Sequence, residues 1–199
     1  GTSNSVRMTV LSGGNVGIGT TTPSNRLSIS GPSSNQFEII NSANSKSWRP
    51  NVNGNDFYIT ESGVSNPFVI QAGGNVGIGT TTPSSKLDIE GDLQVKGVNI
   101  SNQENLDVDT GTETIATVVK ANYDAAFFDF VIKNGTNLRA GTVFAIHDGT
   151  NVEFTETSTN DLGDTSDVIL SVDISGTDMR LRATTTTDNW IIKSLVRTL

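Results

Sequence analysis

The chain has 199 residues, 34% of them hydrophobic and 6% aromatic, a formal net charge of −8 and no cysteine. So small an apolar share leaves room only for a small core or one shared between chains, and the missing thiols exclude disulfides and cysteine-ligated metal sites. The negative charge argues against nucleic acid or an anionic membrane as partner, and no wholly apolar run is longer than that of Ala125 to Phe128, far too short to cross a bilayer.

The chain opens Gly1-Thr2-Ser3 without an initiator methionine, which leads us to expect a fragment of something longer. Met8 and Val10 then lead into GGNVGIGTTTPS, Gly13 to Ser24, which recurs without change at Gly73 to Ser84. Each copy is followed by a basic residue, a leucine and an isoleucine: Arg26, Leu27 and Ile29, then Lys86, Leu87 and Ile89. Identity at so long a period marks a modular repeat. Val16 and Ile18 alternate with Gly17 and Gly19, so an extended strand shows an apolar pair on one face and bare backbone on the other. The turn Thr20 to Ser24, fixed by Pro23, precedes the next alternating pair.

Between the copies, Gln36–Ile40, Asp56–Thr60 and Pro67–Gln71 read as short strands, expected as hairpins peripheral to the repeats. Trp48, beside Arg49 and Pro50, is either a packing anchor or a sugar-stacking residue. Gly91–Gly97 alternates, with Leu93 and Val95 expected inward, and Ser101–Asn105 reads as a polar connector. Residues 1–105 carry a net charge of −1 and residues 106–199 a net of −7, so we place a domain border at 105/106. Beyond it, seven strands are expected: Thr112–Lys120, Ala126–Lys133, Thr142–Asp148, Val152–Thr157, Val168–Ser175, Asp178–Thr184 and Trp190–Arg197. Phe128, Phe130 and Ile132 share one face, as do Val168, Leu170, Val172 and Ile174, a pattern that suggests an antiparallel two-sheet β-sandwich.

The repeat offers few inward side chains. Burying a valine or isoleucine contributes roughly 1.5–3 kcal/mol, against roughly 1–2 kcal/mol of backbone entropy for each residue fixed. Val16, Ile18, Leu27 and Ile29, with Val76, Ile78, Leu87 and Ile89, are therefore expected to form the core of a threefold, parallel assembly, with the glycines letting neighbouring strands close in; the alternative is a small monomeric sheet. The predicted fold class is all-β: an elongated trimeric fibre shaft followed by the sandwich.

Catalytic motifs are sparse. Gly17-Ile-Gly19 lacks the third glycine and the helix of a phosphate-binding loop. His147, the only histidine, precedes Asp148-Gly149 and has no cysteine or GxSxG nucleophile to serve. The acidic residues of the second half, Asp107, Asp109, Glu153, Glu156, Asp161, Asp164 and Asp167 among them, read as a solvated surface, with a carboxylate pair for glycoside cleavage as the alternative. Asp161 to Asp167 could offer oxygen ligands to a cation but lacks the spacing of a calcium loop. We expect no enzyme, no metal and no cofactor.

The repeat phrase with its basic residue, leucine and isoleucine resembles the shaft repeats of tail fibre proteins of tailed bacteriophages. Phe144–Thr150, Leu170–Gly176, Met179–Ala183 and the close Val196–Leu199 resemble the C-terminal domains of fibres of marine, T4-like phages. The resemblance implies a homotrimer in the virion tail whose distal end contacts a host-surface receptor, saccharide or outer-membrane component, alongside other virion proteins. A polysaccharide-degrading spike and a structural connector or trimerisation domain are the alternatives. No receptor-binding residue is singled out.

Overall fold

The structure, a computed structural model, describes residues 7–31, 37–64 and 68–199. Gly1 to Ser3, Gln36 and Pro67, named above, lie outside the described residues. No described residue is helical, so the all-β expectation holds. The backbone divides into two compact units, Gly1–Glu90 and Gly91–Leu199.

In the first unit, β1 (Met8–Val10), β2 (Val16–Ile18) and β3 (Leu27–Ile29) form a three-stranded sheet. β1 runs antiparallel to β2, and β2 runs parallel to β3. A six-stranded sheet follows, its strands adjacent in chain order: β4 (Ile39–Asn41), β5 (Lys46–Asn53), β6 (Asp56–Glu61), β7 (Phe68–Ile70), β8 (Val76–Ile78) and β9 (Leu87–Ile89). β7, β8 and β9 repeat the pairing of β1, β2 and β3 in the same register. Parallel neighbours usually need a crossover of a dozen or more residues. Here residues 19–26 and 79–86 suffice, because each connection is a turn folded against its own strand.

The strands between the two copies are not peripheral hairpins. β5 and β6 pair along Trp48–Asn53 and Asp56–Glu61, and β6 pairs directly with β7, so the intervening residues widen the sheet that carries the second repeat. Pro50 sits within β5 because β4 pairs only with Lys46, Ser47 and Trp48; beyond them, among the described residues, there is no ladder on that side for a proline to break.

The second unit is a sandwich of two antiparallel sheets. β10 (Leu93–Val95), β11 (Val98–Val108), β12 (Gly111–Val119), β13 (Ala125–Asn134), β14 (Asn137–His147), β15 (Val152–Ser158), β16 (Ile169–Ser175), β17 (Asp178–Thr185) and β18 (Trp190–Thr198) follow in chain order. One sheet has the order β10-β11-β18-β13-β14-β15 and the other β12-β17-β16. Between them lies one core: Phe128, Phe130, Ile132, Trp190, Ile192 and Val196 from the larger sheet meet Ile115, Val118, Leu170, Val172, Met179 and Leu181 from the smaller. Each comes from an alternating run, so the period of two becomes a buried face. All seven expected strands are present, β14 starting earlier than expected, at Asn137.

Two expectations about the junction differ from the structure. Ser101–Asn105 is no connector but the middle of β11, paired residue by residue with β18 from Ile100 to Asn105, so the units part at Glu90/Gly91 rather than at 105/106. Leu93 and Val95 are not inward; both are exposed on the edge strand β10.

Candidate functional site

The six-stranded sheet of the first unit carries a largely apolar face that the described residues cover only in part, with the Lys46–Glu61 ion pair at its far edge. Residues in register share a face. Pro50, Ile59, Phe68, Ile78 and Ile89 therefore stand in one row across five strands, and Val52, Phe57, Ile70, Val76 and Leu87 in the next. Trp48 and Ile39 extend the same face at its far edge. Ile78 is 44% and Leu87 56% exposed, and Trp48, Val52 and Ile39 are exposed as well. The three-stranded sheet repeats this on a smaller scale, with Met8, Ile18 and Ile29 in one row and Val10, Val16 and Leu27 in the other. Structure and sequence agree that Val16, Ile18, Leu27 and Ile29 lie together, and likewise Val76, Ile78, Leu87 and Ile89. Sequence reading missed Phe57, Ile59, Pro50 and Val52, whose signal was the alternation of Asp56–Thr60 once it is paired into the same sheet.

The opposite face shows what the glycines make room for within one chain. A Cβ on Gly17 would run into the carbonyl of Thr20 and crowd its Cγ2 at 3.1 Å, with Pro23 Cδ at 3.4 Å; on Gly77 it would meet the Thr80 carbonyl and Val69 Cγ1 at 2.8 Å. Gly17 admits the chain's own turn, and Gly77 admits both that turn and the Val69 side chain of the neighbouring strand β7. Gly19 and Gly79 add a left-handed backbone, φ +74° and +80°, that starts this turn.

Polar side chains then lock it. The Asn15 amide donates to the Pro23 carbonyl at 3.2 Å, and Asn75 to Pro83 at the same distance. Backbone bonds run from Val16 N to the Arg26 carbonyl at 2.8 Å and from Val76 N to Lys86 at 2.9 Å. Lys86 Nζ reaches back to the Gly73 carbonyl at 3.0 Å, as Arg26 does to Gly13 at 3.5 Å, which accounts for the basic residue after each phrase. The Asp88 carboxylate accepts from Ser84 N and Oγ at 2.8 and 2.9 Å, which holds its acid below the ordinary range. The phrase is thus a rigid clip that presents two apolar side chains outward.

Other candidates are occupied by structural bonds. His147 Nδ1 accepts from Gly149 N at 3.0 Å, which leaves Nε2 to donate to the Tyr123 carbonyl at 2.8 Å. Asp161 accepts from Thr165, Asp164 from Ser166, and Asp167 from Thr187, so the acidic loop ties itself down. Asp148 accepts from Thr150 N, Asn151 N and Asn151 Nδ2; the Asn151 bonds are the main cause of its low acid value of about 2. Among the described residues no group of three or more His, Asp or Glu side chains is placed to hold a metal, and no helix is long and apolar enough to cross a membrane.

No protein-family model matches the sequence, and a search of curated proteins gave no match. Among solved structures, the chain is similar to the tailspike protein of Acinetobacter baumannii phage AM24 at 11% identity and a TM-score of 0.30, over 51% of this chain and 26% of that one. It is also similar to tailspike protein gp49 of Acinetobacter baumannii bacteriophage Fri1, a capsular polysaccharide depolymerase, at 14% identity and a TM-score of 0.33, over 54% of this chain and 19% of that one. The chain spans about a quarter and a fifth of these two proteins. One expectation needs correction: with a depolymerase among the similar structures, the exclusion of enzymatic activity does not stand.

Proposed function

We propose that this chain is a piece of a phage tail attachment protein that assembles as a homotrimer, its first unit building the shared stem and its second unit facing the host surface. One observation carries the reading: the two apolar rows across β5 to β9, with no charged residue in either, are half-exposed among the described residues, Val52, Phe57, Ile70, Ile78 and Leu87 most of all. Contiguous apolar surface of this kind marks an interaction site. A second copy is the favoured occupant because the same clip presents the same pair twice, at an offset of 60 residues, so one self-complementary contact serves both copies. The threefold number and the place in a virion tail come from the resemblance of the repeats and the C-terminal segments to phage tail fibres. The test is mass in solution: light scattering should give three times the 21.0 kDa of one chain, and a monomer overturns the reading.

A further inference from the structure

The second unit holds a groove of about 480 Å³ where its two sheets part, between β10–β11 and the end of β12. Its floor is small and buried: Ser101 and Thr198, with Val118 and Val196 beneath. Its walls are amides and hydroxyls. Gln94 Nε2 donates to the Tyr123 hydroxyl at 3.3 Å across one end, and Asn99 Nδ2 to Asp92 Oδ2 at 3.0 Å along the side. Gln103 clamps β11 to β12, accepting from Thr117 N at 2.8 Å and donating to its carbonyl at 3.0 Å. These bonds tie the walls to one another. The second Asp92 oxygen, the Gln94 and Asn99 side-chain oxygens and the Asn122 side-chain amide have no hydrogen-bond partner among the described residues, and all four residues line the groove.

We infer that this groove is a binding site for a neutral oligosaccharide. The volume lies in the range of small-ligand pockets, roughly 300–1,000 Å³. Those pockets are mostly apolar with a few polar groups; this one reverses the proportion, so its ligand must be rich in hydroxyls that both donate and accept. Asp92 is the one charge in the lining, with no lysine or arginine to hold a phosphate, sulfate or uronate. Tyr123, half-buried against the core, supplies an aromatic surface at one end for the C–H face of a pyranose ring. The sugar edge would bond to Asp92, Asn99 and Asn122.

This assignment rests on the attachment reading for its biological purpose, and its test is separate. Saturation-transfer NMR on the full chain would use tetrasaccharides of glucose, galactose, mannose and N-acetylglucosamine, with tetragalacturonate as the charged comparison. The expected result is transfer to at least one neutral tetrasaccharide and none to the uronate. Affinity should fall about five- to ten-fold in Asp92→Ala and in Asn122→Ala, both exposed positions, and change less than about three-fold in Tyr123→Phe, which keeps the ring. No transfer to any neutral sugar, equal transfer to the uronate, or unchanged affinity in the Asp92→Ala/Asn122→Ala pair overturns the groove. A monomeric mass with sugar binding intact overturns the trimer and leaves the groove standing; a trimer that binds no sugar does the reverse.

Discussion

The two units differ in where their apolar residues go. Nineteen hydrophobic residues are buried in one core in the second unit, whereas among the described residues of the first unit only Val69 is. Both are built from alternating strands, so secondary structure does not separate them. Sheet pairing does: the sandwich folds a second sheet over its apolar face, and the repeat-bearing sheet has none among the described residues. On the reading proposed above, the unit that closes its own core folds alone, and the one that presents apolar rows outward completes its core with copies of itself.

The comparison breaks most sharply by separating the units. Residues 91–199 alone should fold as a monomer with one cooperative melt, and residues 1–90 alone should either assemble or fail to fold; circular dichroism with scattering reads both. Next, Val76→Asp with Ile78→Asp should abolish assembly, since each buried aliphatic is worth roughly 1.5–3 kcal/mol before the cost of a buried charge. Phe57→Asp with Ile59→Asp on β6 should weaken assembly too, because those residues share the rows of Val76 and Ile78. Within the sandwich, Phe128→Ala should cost roughly 3–5 kcal/mol and leave assembly intact. Gly77→Ala, by pressing on the Thr80 carbonyl and Val69, should lower the melting temperature of the first unit while Gly73→Ala, with nothing within 4 Å, should not.

The smallest effect is acid sensitivity. Asp148 has its acid lowered from an ordinary 3.8 to about 2 by the Asn151 and Thr150 bonds, and Asp188, bonded to Thr110 Oγ1 and N, and Asp173, bonded to Arg180, are lowered as well. A depressed carboxylate contributes stability that is full above the unfolded value and is lost as pH falls through the folded one. For Asp148 that window runs from about pH 4 down to about pH 2. Melting of the sandwich should therefore change little from pH 7 to 5 and fall below pH 4, and Asp148→Asn should flatten part of that fall.

Much of this was legible in the residues. Phe128, Phe130 and Ile132, and Met179, Leu181 and Ala183, announce buried strands because tight alternation has one physical meaning there. β11 was not legible, because Asn102, Gln103, Glu104 and Asn105 look like a linker; Gln103 spends its amide on clamping Thr117, a long-range bond that no local pattern carries. β5 was hidden by Pro50, which is tolerated only because β4 stops short of it. The glycine phrase signalled close approach correctly, but what approaches depends on the fold of Thr20 to Pro23, and the groove at Tyr123 joins residues 99 positions apart, as in the bond from Asn99 N to Thr198 Oγ1.

The central claim is that the apolar rows of the first unit are a core awaiting copies of the same chain. Light scattering or sedimentation on the intact chain and on its Val76→Asp/Ile78→Asp variant tests it most directly. The account predicts a mass near three times 21.0 kDa for the parent and a smaller one for the variant; a parent that runs as a 21.0 kDa monomer, or a variant that assembles equally well, would contradict it.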